Sequence, residues 1–161
     1  MGIKNILFVC TGNSCRSVMA EWLLRDVLHK AGLTDIQVAS AGVHAMHGMG
    51  PSRDTVRVLQ TAGINPSTHR ARLITPTMAQ EADLILVMEQ FQGEEILKRV
   101  PKAQGKVHLL KLFNLPPEAQ VLDATIPDPI GKPYEVYEVC FADIRAAIER
   151  VARYLGVTSI S

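Results

Sequence analysis

The distribution of hydrophobic positions along the chain predicts alternating strands and helices. Residues 3–9 and 36–41 are short apolar runs with β-branched members, which is typical of buried strands. Residues 82–88 form the most continuously apolar run, so we expect a central strand there. A fourth strand is predicted over residues 107–110.

Apolar residues at helical spacing occupy the segments between these runs. Within residues 20–31, apolar residues recur three and four positions apart, which predicts a helix that stops at Gly32. A second helix is predicted over 51–62 with Pro51 at its first position, and a weaker one over 91–100. The last predicted helix has one apolar face, formed by Val136, Cys140, Ile144, Ala147, Ile148, Val151 and Leu155.

Strands that alternate with helices imply a parallel sheet with helices on both faces. We therefore expect one three-layer, doubly wound α/β domain over residues 1–161, with ligands bound at the carboxyl ends of the strands. Residues 114–134 contain five prolines and no periodicity, which predicts a long loop. Loops of this length inside compact domains usually serve function.

Composition narrows the range of partners. The 161 residues are 47% hydrophobic and 20% charged, as in a globular protein, and no apolar stretch approaches the ~18 residues that span a bilayer. The net charge of +1 gives no reason to expect nucleic acid or a membrane surface as partner. Gly2 invites a myristoylation motif, but Ile6 stands where that motif needs Ser or Thr. With three cysteines and no export signal, we expect a cytoplasmic protein.

Candidate chemistry is concentrated where the first predicted strand meets the first predicted helix, in the sequence CTGNSCRS at residues 10–17. The spacing between Cys10 and Arg16 is enough for a loop to curl around one tetrahedral anion. Backbone N–H groups of such a loop converge on phosphate oxygens, and the helix N-terminus adds its positive end. Gly12 can adopt the backbone angles that this requires, and Asn13 is one of the few other residues that tolerate a left-handed conformation.

The two residues that bound this loop suit phosphoryl transfer without a metal or cofactor. Arg16 can bind two phosphate oxygens with its planar guanidinium, and beside these donors the thiolate of Cys10 is favoured over the thiol. The alternative is a buried cysteine at a strand end and a surface arginine. A zinc site is disfavoured because Cys10 and Cys15 have C-x4-C spacing without a second ligand pair. A nucleotide-binding P-loop is excluded because no Gly-Lys-[Ser/Thr] follows the glycine.

Over nearly its whole length the chain resembles the low-molecular-weight protein tyrosine phosphatases. The resemblance rests on residues 10–17 and then, in the family's order, on Met19-Ala20-Glu21, Ser40-Ala41-Gly42, His69-Arg70-Ala71-Arg72 and Asp128-Pro129. It implies a flavodoxin-like phosphatase fold with a four-stranded parallel sheet in the order 2-1-3-4. It also implies a nucleophile at Cys10, a transition-state clamp at Arg16 and a general acid at Asp128.

The same resemblance assigns further roles around the loop. The substrate phosphate would be bound by six successive residues, Thr11, Gly12, Asn13, Ser14, Cys15 and Arg16. Ser17 would steady the leaving thiolate, while Asn13, Ser40 and His69 would form a polar network that supports the loop. From the residues alone, Ser17 is equally well a helix cap, Ser40 a strand-end hydroxyl and His69 a surface residue.

The remaining cysteines bear on redox chemistry. By resemblance, Cys15 matches a second loop cysteine that can trap oxidised Cys10 as a disulfide in many members. Cys140 lies on the apolar face of the last predicted helix, where a core position is expected. Thioredoxin-coupled arsenate reduction reuses such a loop, but it needs a relay of further cysteines after the third strand, and none lies between Cys15 and Cys140.

From the residues alone, two aspartates compete for the role of general acid. Phosphoryl transfer to sulfur expels an alkoxide or phenoxide, which a nearby carboxylic acid can protonate, and the resulting carboxylate can activate the hydrolytic water. Asp128 lies in the proline-rich loop, from which it can project into a cleft, but an Asp before Pro129 also commonly starts a turn. Asp123 is its nearby competitor.

The sequence departs from the family pattern at three places. Val18 replaces the usual proline, Glu89 replaces an aspartate after the third strand, and Ile130 and Gly131 stand where many members have aromatic residues beside the substrate ring. The main prediction is a phosphatase of phosphotyrosine in phosphorylated proteins. The alternatives are a protein-arginine phosphatase, whose relatives carry a threonine where Ser14 stands here, and a non-catalytic phosphate-binding module.

Overall fold

Strands and helices alternate along the chain, as the sequence predicts. The computed structural model describes residues 2–160. Its elements are β1 (Asn5–Cys10), α1 (Arg16–Lys30), β2 (Gln37–Gly42), α2 (Arg53–Gln60), α3 (Pro76–Glu81), β3 (Leu84–Val87), α4 (Gln90–Arg99), β4 (Val107–Leu109) and α5 (Tyr134–Tyr154). Residues 114–133 contain neither helix nor strand, which agrees with the predicted loop.

The four strands form one parallel sheet in the order β2-β1-β3-β4, which confirms the predicted fold class. All four residues of β3 are buried, as expected for an inner strand. Because the strands are parallel, their carboxyl ends share one edge of the sheet. At that edge Cys10, the last residue of β1, is paired with Gly42 of β2.

Successive residues of the inner strands point into two hydrophobic layers, because side chains alternate across a sheet. Phe8 and Leu86 pack in the layer that also contains buried residues of α1, α2 and α5. Leu7 and Ile85 pack in the opposite layer, against buried residues of α3 and α4. Helices therefore cover both faces of the sheet, and its carboxyl edge stays available for a site.

Two helix starts differ from the sequence predictions. The α2 helix begins at Arg53 because the Ser52 hydroxyl caps it, so Pro51 precedes the cap and does not occupy the first helical position. The six-residue α3 helix was not predicted, since it is too short to show helical periodicity. Its start carries two local signals, a Thr75 cap and Pro76 at the first position.

The predicted apolar face of α5 is correct except at its first turn. Val136 is 37% exposed, whereas Tyr137 is buried and takes its place in the core. Cys140, Ile144 and Val151 are buried as expected. No helix within residues 2–160 combines the length and the apolar character needed to cross a membrane.

Candidate active site

Residues 10–17 connect the end of β1 to the first turn of α1 at the carboxyl edge of the sheet. Cys10 and Arg16, which bound the loop, are 2% and 1% exposed. The loop turns at Asn13, whose φ is +54°, while Gly12 keeps a φ outside the left-handed region. The left-handed residue of the loop is therefore Asn13 and not Gly12, in contrast to the use expected for the glycine.

The carbonyl groups of this loop are turned outward by donors from other parts of the chain. Four of them accept hydrogen bonds of 2.8–3.1 Å: Cys10 O from Val43 N, Thr11 O from His44 N, Asn13 O from His69 Nε2 and Ser14 O from Ser52 N. In a planar trans peptide the N–H points opposite to the C=O. The N–H groups of the same four peptide units therefore point to the inside of the loop, where an anion can accept from them.

A buried polar network supports the loop from behind. The backbone N–H of Arg72 donates to Asn13 Oδ1 at 3.0 Å, which turns Asn13 Nδ2 toward the Oγ atoms of Ser17 and Ser40, both at 2.9 Å. Ser17 Oγ accepts from this amide and lies 2.9 Å from Cys10 Sγ, so its own hydrogen is available to the sulfur. The hydroxyl can therefore stabilise a thiolate at Cys10.

The far end of this network is fixed by a carboxylate. Ser40 Oγ donates to Glu21 Oε1 at 2.5 Å, and the other oxygen of Glu21 accepts from Arg25 at 2.9 Å. An ionised carboxylate can only accept, so Ser40 has its lone pairs available for Asn13. The family resemblance implied a network of Asn13, Ser40 and His69 and a separate role for Ser17 at the thiolate; these functional roles stay predictions. It gave no role to Glu21, which forms the end of the network.

Arg16 is held along one edge of its guanidinium. Nη1 donates to Glu89 Oε2 at 2.6 Å and to the Ile126 carbonyl at 2.8 Å. On the other edge, Nη2 lies 3.7 Å from Asp128 Oδ2, and the buried Nε has no hydrogen-bond partner within residues 2–160. The edge formed by Nε and Nη2 is thus the one that can bind two oxygens of a phosphoryl group.

Asp128 is presented by a tight turn. Lys132 N donates to Pro129 O at 2.9 Å, and Gly131 has a φ of +73°, which fits a turn with glycine at its third position. The Ile130 N–H donates to Asp128 Oδ1 at 3.1 Å, which leaves Oδ2 facing Arg16. Because this geometry requires a positive φ, Gly131 stands where an aromatic side chain would be strained.

The thiol, the guanidinium and this carboxyl group line one cleft of about 230 Å³, together with Thr11, Gly12, Ser14, Cys15 and Ile130. Asp123 does not line it. Its exposed carboxylate accepts a 2.9 Å bond from Thr125 N, which holds the pKa of Asp123 below its ordinary value. Two larger clefts, of about 390 and 550 Å³, border α1 near Lys30 and Trp22 and contain none of the predicted site residues.

Cys15 is buried and lies among three hydroxyl groups. Its Sγ lies 3.2 Å from Ser52 Oγ and 3.7 Å from both Ser14 Oγ and the Tyr137 hydroxyl. Burial raises the pKa of Tyr137 to about 12, so this hydroxyl keeps its proton. Sequence reasoning missed all three contacts, although a serine three residues before Thr55 is a recognisable helix-cap signal.

The start of α4 contributes two more residues. Glu89 caps the helix and forms a capping box with Gln92, a pattern visible in the sequence as Glu-x-x-Gln. Glu89 was noted only as a departure from the family pattern, and Gln92 was missed. Across residues 2–160 no group of three or more His, Cys, Asp or Glu side chains is arranged to hold a metal ion.

In a doubly wound α/β fold, a thiol at the base of an anion-sized loop, with an arginine and a carboxyl group in the same cleft, fits the class of cysteine-dependent phosphatases. Residues 5–159 match the family model described as "Low molecular weight phosphotyrosine protein phosphatase". The chain belongs to this family.

Relatives in the family carry two kinds of name. A probable low molecular weight protein-tyrosine-phosphatase of Ralstonia solanacearum is 38% identical over 92% of this chain and 90% of its own length. A protein-arginine-phosphatase of Geobacillus stearothermophilus is 36% identical over 93% and 95%. The crystal structure of the low molecular weight protein tyrosine phosphatase from T. tengcongensis has a TM-score of 0.85 at 33% identity, covering 94% of this chain and 99% of that chain. The YwlE arginine phosphatase structure from Geobacillus stearothermophilus has a TM-score of 0.83 at 35% identity, covering 94% and 92%.

Proposed function

We propose that this protein hydrolyses phosphotyrosine in phosphorylated proteins, with Cys10 as nucleophile, Arg16 as phosphate clamp and Asp128 as general acid. The observation that carries the proposal is that all three side chains line the same cleft, whose loop N–H groups face inward. A phosphoryl group bound there is next to both the thiol of Cys10 and the carboxyl group of Asp128. This arrangement supplies every group that transfer through a cysteine intermediate requires.

In the first step Cys10 Sγ attacks phosphorus, and the bond from phosphorus to the tyrosine oxygen breaks. Asp128 gives its proton to that oxygen, so tyrosine leaves as a neutral phenol. The free edge of Arg16 and the loop N–H groups bind the equatorial oxygens, where charge accumulates in the transition state. The product is a thiophosphoryl group on Cys10.

In the second step water attacks the same phosphorus, and the bond from phosphorus to sulfur breaks. The Asp128 carboxylate accepts a proton from the water, which restores the acid for the next cycle. Sulfur leaves as a thiolate that accepts the hydrogen bond of the Ser17 hydroxyl, 2.9 Å away. Inorganic phosphate is released.

Phosphoarginine is the second candidate substrate, because Ser14 lines the cleft with a hydroxyl that can meet a polar guanidinium. Ile130, 51% exposed and lining the cleft beside Asp128, offers the ring of phosphotyrosine an apolar contact, although a weaker one than the aromatic residues of many members. Replacing Ser14 by Ile is expected to raise kcat/KM for phosphotyrosine peptides and to lower it for phosphoarginine peptides. An equal response of both substrates would show that Ser14 does not select between them.

The test of the chemistry is turnover of an aryl phosphate in the presence of a chelator. We expect Cys10→Ser to abolish turnover while still binding inorganic phosphate, because the loop N–H groups and Arg16 do not depend on the thiol. Asp128→Asn should slow alkyl phosphates more than aryl phosphates, since a good leaving group needs less protonation. Asp123→Asn is the matched control and should be silent. The reverse result for the two aspartates would assign the acid to Asp123.

We also propose that residues 1–161 act as a single phosphatase domain in the cytoplasm. All three cysteines are free thiols, and a nucleophilic thiol is kept reduced in that compartment. Fractionation of cells that produce the protein at native level would test the location.

A further inference from the structure

Two backbone N–H donors fix the orientation of the side-chain amide of Gln92 on α4. It is fully buried, and its Oε1 accepts from the backbone N–H groups of Met88 and Glu89, both at 2.9 Å. A backbone N–H can only donate, so the atom that faces both must be the amide oxygen. The amide nitrogen of Gln92 is therefore forced to the opposite side, where it faces the phosphate-binding loop.

The partner on that side is the Thr11 hydroxyl. Gln92 Nε2 lies 3.2 Å from Thr11 Oγ1, across 81 positions of sequence. An amide nitrogen can only donate, so Thr11 Oγ1 accepts this bond and its own hydrogen must point elsewhere. Thr11 is half-buried and lines the cleft that holds Cys10 and Arg16. The direction of the amide thus leaves the hydroxyl hydrogen of Thr11 available to an acceptor bound in the cleft.

We propose that the Thr11 hydroxyl donates to a phosphoryl oxygen in the cleft and that Gln92 is the positioning residue that fixes it as a donor. The inference rests on the proposed function for the nature of the ligand and adds a side-chain contact to the backbone N–H groups of the loop. A hydroxyl held as a donor matches an oxyanion, which is acceptor-only.

The same helix start holds the other end of the loop. Glu89, whose backbone N–H is one of the two donors to Gln92, binds Arg16 Nη1 with its carboxylate at 2.6 Å. Glu89 also accepts from the Gln92 backbone in the capping box. Thr11 and Arg16, at the two ends of the loop, are therefore both hydrogen-bonded to side chains from the start of α4, Gln92 and Glu89.

The test uses inorganic phosphate as the probe and measures its dissociation constant by calorimetry in the Cys10→Ser background. Thr11→Val removes the hydroxyl at nearly constant volume, and we expect phosphate to bind roughly tenfold more weakly, a loss of ~1.4 kcal/mol. Thr11→Ser keeps the hydroxyl and is the matched comparison, which should bind phosphate more tightly than Thr11→Val. Equal phosphate affinity of Thr11→Val and Thr11→Ser would overturn the proposal.

Gln92→Glu tests the orientation separately. At a pH where the new side chain is ionised, its carboxylate accepts from both backbone N–H groups but presents no donor to Thr11. We then expect the Thr11 hydroxyl to donate to this carboxylate and to leave the cleft. Gln92→Glu should lower the phosphate affinity in both the Thr11 and the Thr11→Val background, because the added negative charge acts equally in both. The loss should be at least threefold larger when Thr11 is present, because only then is a donor hydroxyl removed from the cleft. An equal loss in both backgrounds would refute the role of Gln92. If the folded wild-type protein failed to turn over aryl phosphates, that result would argue against the proposed function. It would not affect the comparison of phosphate affinities between these variants.

Discussion

A methyl group added at Gly42 would strike the phosphate-binding loop from the neighbouring strand. A Cβ at this position would lie 2.4 Å from Thr11 O and 3.0 Å from both Asn13 N and the Ala45 Cβ. The Thr11 carbonyl is itself held by His44 N at 2.9 Å, so it cannot turn away without breaking that bond. Gly42→Ala is therefore expected to displace the peptide unit between Thr11 and Gly12 by a steric clash.

The size of the displacement follows from ordinary contact distances. Carbon requires about 3.5 Å to a non-bonded heavy atom, so the carbonyl of Thr11 must move by about 1 Å. Its peptide unit carries the Gly12 N–H, which would then miss the position of a phosphoryl oxygen. A misplacement of this size can cost on the order of 100-fold in rate, which corresponds to about 2.7 kcal/mol.

The assay is kcat/KM for an aryl phosphate, with the inhibition constant for inorganic phosphate and the melting temperature measured on the same samples. We expect Gly42→Ala to lose about 100-fold in kcat/KM and to bind phosphate more weakly while it remains folded. Gly50→Ala is the matched control, because a Cβ there meets nothing closer than 3.8 Å. Activity of Gly42→Ala within twofold of wild type would refute the reasoning.

Three further outcomes follow from the other contacts. Burial raises the pKa of Cys140 to about 12, so iodoacetamide at neutral pH should label Cys10 and spare Cys140 in the folded protein, as peptide mapping can check; equal labelling of both would contradict this. Two backbone N–H groups at the start of β1 hold the pKa of Asp83 below its ordinary value, so its carboxylate stabilises the fold above about pH 4 and loses that contribution as the pH falls further. The free energy of unfolding of Asp83→Asn, measured in urea, should accordingly be lower than that of wild type at pH 7 and equal to it near pH 2. The same difference at both pH values would show that the ionisation of Asp83 does not contribute to stability. Mild peroxide should inactivate the enzyme reversibly through a disulfide between Cys10 and Cys15, and undiminished recovery in Cys15→Ser would remove the protective role of that thiol.

Local patterns were sufficient to predict the sheet and the loop. The order of the strands followed from the family resemblance, and the strand positions followed from apolar runs, because a buried parallel sheet needs them. The spacing of Cys10 and Arg16 located the cleft, since these two residues bound one short connection between a strand and a helix.

Contacts between residues that are far apart in the sequence could not be predicted from these patterns. Gln92 meets Thr11 across 81 positions, and Ser52 meets Ser14 only because α2 packs beside the loop. Without the family resemblance, the choice between Asp128 and Asp123 was likewise open, because both lie in one irregular segment. Only the turn at Pro129 aims one of them at Arg16.

The buried, hydrogen-bonded position of Ile126 determines where residues can be inserted into the long loop without moving Asp128. It is fully buried, its N–H donates to Met88 O at 3.1 Å, and its carbonyl accepts from Arg16 at 2.8 Å. Residues 116–120, on the upstream side of this anchor, are exposed. Extra residues inserted there leave the distance between Ile126 and Asp128 unchanged, so this surface can host an epitope or diverge in length between lineages while the acid keeps its place.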